Sequence, residues 1–355
     1  MSASAVAGAR VIERRSRRLL TAGGRLPWWV VPSVLLLLVA AAVASAASVD
    51  GDSGRDLLGL AGSIGADLLR LRWQFVAIVV VLAGLHYVAT AVAARAASGV
   101  PLPFGETLLV QLAASAANRL TPAGLGGSAV TGRYFTRRGL TMPSAVGALA
   151  TLAVLGVLAD LAVLTGLVVI GRWLGANGAP HELAALARKV AAVAAPLRSP
   201  WVWLGIAVAV GAGAAVRMSR APAGRQVWTR FCLPIRQLAR HPSTLGLLLL
   251  ASGSTTLILA FAFVASTRMV PGSHPTVGLG VMLVGFMLGS AAGGAVPVPA
   301  GLGSTEAALI GVLVSEHVAA AVAVQVVLIF RLLTFWMPAI VGILATRHLR
   351  RRGAI

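Results

Sequence analysis

An apolar run that would otherwise cross a membrane is broken at residues 296–306, which read Val296-Pro297-Val298-Pro299-Ala300-Gly301-Leu302-Gly303-Ser304-Thr305-Glu306. Apolar sequence flanks the break on both sides, over 277–295 and 307–314. Pro297 and Pro299 remove backbone donors and turn the residues before them away from the helical region. Gly301 and Gly303 permit backbone angles that other residues avoid. Ser304 is placed to cap a new helix, its hydroxyl accepting from the first free N–H groups. Irregular backbone at membrane depth is tolerated only where it is buried in protein or lines a wet cavity. The break is therefore a candidate site. Its core also recurs: Pro122-Ala123-Gly124-Leu125-Gly126 carries the same five letters as residues 299–303, 177 positions earlier.

The surrounding composition places this break in a membrane. At 58% hydrophobic, 11% charged and mean hydropathy +0.88, the sequence is that of an integral membrane protein. Cys232 is the single cysteine, which excludes an internal disulfide and a cysteine-cluster metal site. The six histidines show no ligand spacing, so no metal and no cofactor are expected. The net charge of +20 does not point to nucleic acid, because the basic residues cluster beside apolar spans, where they set orientation and meet anionic lipid. Lys189 is the one lysine among them, and with the abundant alanine this suggests a GC-rich bacterial genome.

Residues 1–27 form a basic leader, with Arg10, Arg14, Arg15, Arg17, Arg18 and Arg25. Full spans are expected at 28–48, 74–95, 143–171, 201–217, 243–267 and 318–346, each near the ~20 residues a crossing needs. The first of these also resembles a signal peptide, with Ala44-Ser45-Ala46 as a cleavage site. His86, in the second span, reads as a satisfied core histidine. Residues 172–200 form an outside connection, with an amphipathic helix over 181–197. The arginines from Arg217 to Arg240 read as a cytoplasmic loop, and 347–355 as a basic cytoplasmic tail.

Between the second and third spans, a single crossing over 106–135 would leave Arg133, Arg137 and Arg138 outside. A re-entrant pair of short helices with the Pro-Ala-Gly-Leu-Gly break at its tip keeps them inside, as the positive-inside rule prefers. The second broken element, 275–317, enters from the outside. This arrangement puts 20 Lys and Arg inside and 8 outside, with Arg119 and Arg331 left in the membrane and both termini cytoplasmic. Each half, 28–171 and 201–346, reads span, span, broken hairpin, span. Three crossings per half invert the second relative to the first. The expected fold is thus an all-α polytopic inverted repeat of six full spans and two broken hairpins, whose tips meet near the midplane.

The helices that begin after the breaks, at Ser128 and Ser304, present N–H groups and a positive dipole end, a ready anion pocket. Arg119 and Arg331 are costly in a bilayer unless they pair or line a cavity. Glu306 has two readings: it closes its own helix N-terminus and pairs with an arginine, or it contacts a cationic headgroup or a proton. Asp160 is a weaker carboxylate candidate that could instead neutralise Arg331, and Glu316 is expected near the outer surface. No nucleophile–base–orienter set appears, so no catalytic residue is expected and Ser304 reads as a cap.

Three pieces of the sequence together resemble the transmembrane, flippase-like region of the lysylphosphatidylglycerol synthase/flippase family. They are Asn118-Arg119-Leu120-Thr121-Pro122-Ala123-Gly124-Leu125-Gly126-Gly127 with the following Arg133 and Arg137-Arg138-Gly139, then residues 297–306, then Arg331-Leu332-Leu333-Thr334-Phe335-Trp336-Met337-Pro338. The likeness spans roughly 28–346. Ala300 stands where the family commonly has glycine, and Ser128 where many relatives carry an acidic residue, which leaves Glu306 without an acidic partner in the other half. Residues 347–355 leave no room for the soluble aminoacyl-transferase domain of synthase members, so synthesis of lysyl-lipid is not expected.

The resemblance implies a multi-pass protein of the bacterial plasma membrane that moves an anionic, aminoacylated or polyprenyl-phosphate-linked lipid between leaflets. The expected binding residues are Arg119, Pro122, Gly124, Gly126, Gly127, Pro299, Gly301, Gly303, Ser304, Glu306 and Arg331, with Arg133, Asp160 and Glu316 secondary. The alternatives are a carrier of a small anionic solute and a membrane subunit that recruits a lipid-modifying enzyme through residues 217–240.

Overall fold

The computed structural model describes residues 71–121, 125–173, 222–270, 278–295 and 302–355. The leader, the expected spans 28–48 and 201–217, the connection 174–200 and the two proline-bearing breaks lie outside the described residues. Pro122, Gly124, Pro299 and Gly301 fall among them.

All regular structure among the described residues is helical. Helix α1, Trp73–Ser98, stops at Gly99, whose φ of 67° is the left-handed turn that glycine adopts without a Cβ penalty. Helices α2, Phe104–Leu120, and α3, Leu125–Arg137, follow, then α4, Met142–Trp173. Beyond the undescribed segment come α5, Pro222–Arg240, and α6, Pro242–Met269, which begins on a proline whose missing N–H costs nothing in a first turn. Helices α7, Leu279–Ala295, and α8, Ser304–Ser315, precede α9, Ala320–Arg331. A π turn, Leu332–Trp336, carries α9 on into α10, Met337–Arg351.

Four of these helices are long and apolar enough to cross a membrane: α1, most of α4 (Met142–Ile170), α6 and the continuous Ala320–Arg351. Each matches an expected span to within a few residues. The protein is an all-α, multi-pass membrane protein.

Between the long helices sit two pairs of short ones. Helices α2 and α3 pack on each other, and Glu106 near the start of α2 pairs with Arg138 just past the end of α3, so the pair is a hairpin with its mouth at that end. Leu102, Val110, Tyr134, Phe135, Ala345 and Leu349 share one buried cluster there, with Ala94 from the last turns of α1. Helices α7 and α8 form the second hairpin. Its mouth lies at the other end of the bundle, where Met282, Leu283 and Leu313 pack with Val79 of α1, Met269 and Val270 at the end of α6, and Ala323 of α9. The Arg72 N–H donates to the Met269 carbonyl (3.2 Å), which ties the start of α1 to the end of α6. Helix α1 therefore runs antiparallel to α6 along its length, and the two hairpins open toward opposite ends.

One expectation fails in kind. The arginine-rich stretch read as a loop is, from Pro222 onward, the 19-residue helix α5. At 100° per residue, Arg225, Thr229, Arg236 and Arg240 fall in one sector, and Trp228, Phe231, Pro234 and Leu238 in another. An apolar face was available to dock, and it packs on α4. Counting charges alone hid that periodicity.

Candidate functional site

Arg331 is the last residue of α9, where the helix passes into the π turn. Its Nε donates to Glu306 Oε1 at 2.6 Å, and both side chains are about nine-tenths buried, 11% and 10% exposed. The other oxygen of Glu306, Oε2, accepts from the Gly303 N–H at 2.8 Å. The carboxylate thus closes the N-terminus of α8 and neutralises the arginine of the last span with one oxygen each. Gly303 has φ 82° and ψ −48°, a conformation open to glycine and not to residues with a Cβ. The Ser304 hydroxyl donates to the Gly293 carbonyl (2.7 Å) and pins the start of α8 to α7.

Arg119 is in the last turn of α2, where a cation meets the negative end of the helix dipole. Its Nη1 donates to the Ser115 hydroxyl one turn back, and that hydroxyl is 2.7 Å from the Tyr87 hydroxyl of α1. Among the described residues the ion pairs are Glu106–Arg138 and Glu306–Arg331, so Arg119 has a hydroxyl and a π face but no carboxylate. The π face is Phe335, in the π turn. The Arg119 guanidinium carbon lies 4.0 Å from the ring centroid and that of Arg331 lies 4.4 Å from the same centroid. Two cations share one ring, Arg331 about nine-tenths buried and Arg119 partly buried, and such a contact is worth about 2 kcal/mol where it is desolvated. Both also keep a buried donor without a hydrogen-bond partner among the described residues, Nε of Arg119 and Nη2 of Arg331. A cation at membrane depth is costly unless it pairs or lines a cavity, and these two are only partly satisfied by the residues around them.

Below this group, Phe263, Phe286 and Phe330 pack edge to face or tilted, with ring centroids 5.4–5.7 Å apart. They tie α6, α7 and α9 together beside Arg331.

The helix N-termini do not present the free donors expected of them. Helix α3 starts at Leu125, before the anticipated Ser128, and the side chains of the hairpin itself occupy its first N–H groups. The Gly126 N–H donates to Thr121 Oγ1 (2.7 Å), and the Gly127 N–H to Asn118 Oδ1. A Cβ at residue 126 would collide with the Ala117 carbonyl and the Thr121 hydroxyl, so this tip closes only around glycine. At the second tip, Ser304 is not the cap. Gly303 holds that position, and the Glu306 carboxylate reaches back from the third helical position to accept the N–H of the cap residue itself. The positive charge here comes from the two guanidinium groups, and the N–H groups of Gly126, Gly127 and Gly303 are already bonded.

Arg119, Glu306 and Arg331 come together through Phe335, with Gly303, Ser304, Gly126 and Gly127 shaping the two tips. The secondary candidates lie elsewhere. Arg133 is exposed on α3 toward the hairpin mouth. Glu316 is buried, 7% exposed, just past the end of α8 at the mouth of the second hairpin, beside the turn through His317 (φ 63°). Asp160 does not neutralise Arg331; Glu306 does, being held in place by the start of α8. His86 Nδ1 sits 3.2 Å from the Thr255 carbonyl oxygen and donates to it, as a satisfied histidine does. No group of three His, Cys, Asp or Glu that would hold a metal occurs among the described residues.

Sequence reasoning missed Phe335, Tyr87 and Ser115. A signal for the first existed: Pro338 in the last span cannot donate to the carbonyl four residues back, and the wider π turn directly before it aims Phe335 between the arginines.

No curated protein matches the chain. A protein-family model described as "Lysylphosphatidylglycerol synthase TM region" matches residues 57–342, from before α1 into α10 and across both hairpins and the Arg119–Phe335–Arg331–Glu306 group. The chain belongs to the lysylphosphatidylglycerol synthase transmembrane-region family.

Proposed function

We propose that this protein moves a phospholipid or lipid-linked headgroup between the leaflets of a bacterial plasma membrane, acting as a transporter and not as an enzyme. The observation that carries the reading is the pair of guanidinium groups on Phe335. One is neutralised by Glu306 and the other has no carboxylate among the described residues, and each has an unpartnered donor. With one carboxylate between two cations, the group has a surplus positive charge, which a phosphodiester anion neutralises. Unpartnered guanidinium N–H donors are groups from which phosphate oxygens readily accept.

The arrangement of the hairpins supports the reading. The helix order α1, α2–α3, α4 recurs as α6, α7–α8, α9–α10, and the hairpins open toward opposite ends. We read this as an inverted repeat with re-entrant hairpins, in which one half rocks against the other around the arginine pair. Orientation follows the charge. Arg95, Arg137, Arg138, Arg236, Arg240 and the run Arg350–Arg352 gather at the end where α1, α3 and α10 finish, while Arg72 and Arg268 mark the other end. The richer end is cytoplasmic by the positive-inside rule, and with it the C-terminal end of α10.

The test is leaflet exchange of headgroup-labelled phospholipids in liposomes holding the purified protein, across anionic, aminoacylated and polyprenyl-phosphate lipids. Wild type exchanges lipid, and Arg119→Ala and Arg331→Ala lose it while remaining folded. Uptake of a water-soluble organic phosphate with no lipid exchange would replace the reading with a solute carrier.

A further inference from the structure

Outside the arginine pair, the strongest unabsorbed feature is α5. Its 19 residues contain four arginines and no acidic residue. We infer that α5 lies in the membrane surface and that its arginine face binds anionic phospholipid headgroups. This inference is independent of any transport activity.

The helix is held in one orientation by a lock visible in the chain chemistry. Pro234 has no N–H to give to the Arg230 carbonyl four residues back. The Ser144 hydroxyl of α4 donates to that carbonyl instead, at 2.9 Å. Beside it, Gly147 brings the α4 backbone against the Phe231 carbonyl so closely that a Cβ would collide with it. Pro234 and Leu238 are buried by this docking, and Trp228 stacks on Phe231 at 5.3 Å and 17°. The lock fixes which face remains outside. Arg236 and Arg240 are exposed there, Arg230 is exposed between that face and the docked one, and Val227 and Ile235 are exposed at 37% and 44%.

An apolar flank and a cationic face on a helix pinned beside a membrane span suit the boundary between acyl chains and headgroups. The position agrees, because α5 contacts the start of α6 and the last turns of α1 through Leu238, Leu248, Ala96 and Ala97, at the arginine-rich end of the bundle. An acidic protein partner fits less well, since it would leave the apolar flank unaccounted for.

The experiment is hydrogen–deuterium exchange of the full-length protein in nanodiscs of phosphatidylcholine alone and of phosphatidylcholine with phosphatidylglycerol, read on peptides from 222–240. Phosphatidylglycerol slows exchange there by about fivefold for each arginine engaged, and high salt abolishes the slowing. The variant R230Q/R236Q/R240Q loses the response. R230K/R236K/R240K keeps it, which separates loss of charge from loss of fold. Equal exchange in both bilayers, or a glutamine variant that still responds, overturns the inference and leaves the face to an acidic protein partner.

Discussion

Glu306→Gln isolates the charge of the one buried carboxylate in the site, because glutamine keeps the shape. The two carboxylate oxygens accept from Arg331 Nε at 2.6 Å and from the Gly303 N–H at 2.8 Å. Glutamine has one acceptor oxygen and one NH2 group, so whichever partner keeps the oxygen, the other donor faces a donor. Opposite charges about 4 Å apart at an effective dielectric constant of about 20 attract by roughly 4 kcal/mol. Removing one partner of a buried pair costs about 3–5 kcal/mol, because the remaining charge is left in place. One surviving hydrogen bond returns about 1 kcal/mol, so the net loss is about 2–4 kcal/mol. Arg331→Met removes the other charge, and the double variant removes both. The assay is unfolding of the detergent-solubilised protein by a denaturing surfactant, followed by tryptophan fluorescence, in a double-mutant cycle. The double variant is expected to be more stable than the two single losses predict, by about 2–4 kcal/mol, the attraction being absent from both single variants. Losses that add to within about 0.5 kcal/mol would show that the two residues do not pair, and the account of the second tip would fall.

Phe335→Leu removes the ring under both guanidinium groups. It should destabilise by about 2–4 kcal/mol and weaken binding of anionic lipid, with Phe335→Trp retaining both properties, measured by thermal unfolding and by lipid titration. Gly126→Ala forces a Cβ against the Ala117 carbonyl and should cost about 1–3 kcal/mol. The matched control Gly156→Ala, in a helix with open space around it, should gain up to about 1 kcal/mol in the same unfolding measurement. Ser144→Ala leaves the Arg230 carbonyl unpaired and should cost about 1–3 kcal/mol; in a Pro234→Ala background, where residue 234 regains its N–H, the same change should cost little.

The two broken elements were legible in the sequence because proline and glycine act through the backbone, and a missing N–H is missing in any environment. The long helices were legible for a similar reason, since apolar length alone fixes them. What the helix starts do with their N–H groups was not legible. That depends on whether a side chain from the preceding helix folds back, as Asn118 and Thr121 do, and a hairpin of unknown angle does not reveal it. The partner of Arg331 was open between Asp160 and Glu306, two carboxylates of equal chemistry on different helices. The choice is made by Gly303, whose N–H holds the Glu306 carboxylate at the tip. Phe335 was hidden because an aromatic residue in an apolar span reads as lipid-facing, and a one-residue widening of the helix turns it inward. Helix α5 was hidden by its own charge, since four arginines in 19 residues suggest a loop unless the apolar residues between them are counted by angle.

Charge and packing at the site serve the fold itself. Apolar burial does not drive helices together inside a bilayer, where lipid tails are as apolar as leucine. The short helices α2 and α3 are not apolar enough to be anchored by lipid alone, and each hairpin leans on a long helix, α2 on α10 and α7 on α6. What holds them is close approach at small residues and a few polar bonds. Gly342 of α10 lets the Leu112 carbonyl of α2 come within contact, Gly293 of α7 does the same for the Thr305 backbone of α8, and the Ser304 hydroxyl adds its bond to Gly293. Across the centre, the link from the first tip to the second runs from Arg119 through Phe335 to Arg331 and Glu306. That link contains the unpartnered donors. An anion bound there would therefore change the forces joining the two hairpins, and not merely fill a space between them. Motion of the hairpins and occupancy of the arginine pair are then one coupled event, and a variant that weakens the link, such as Phe335→Leu, should loosen both tips together in hydrogen exchange while leaving the ends of α1 and α6 unchanged.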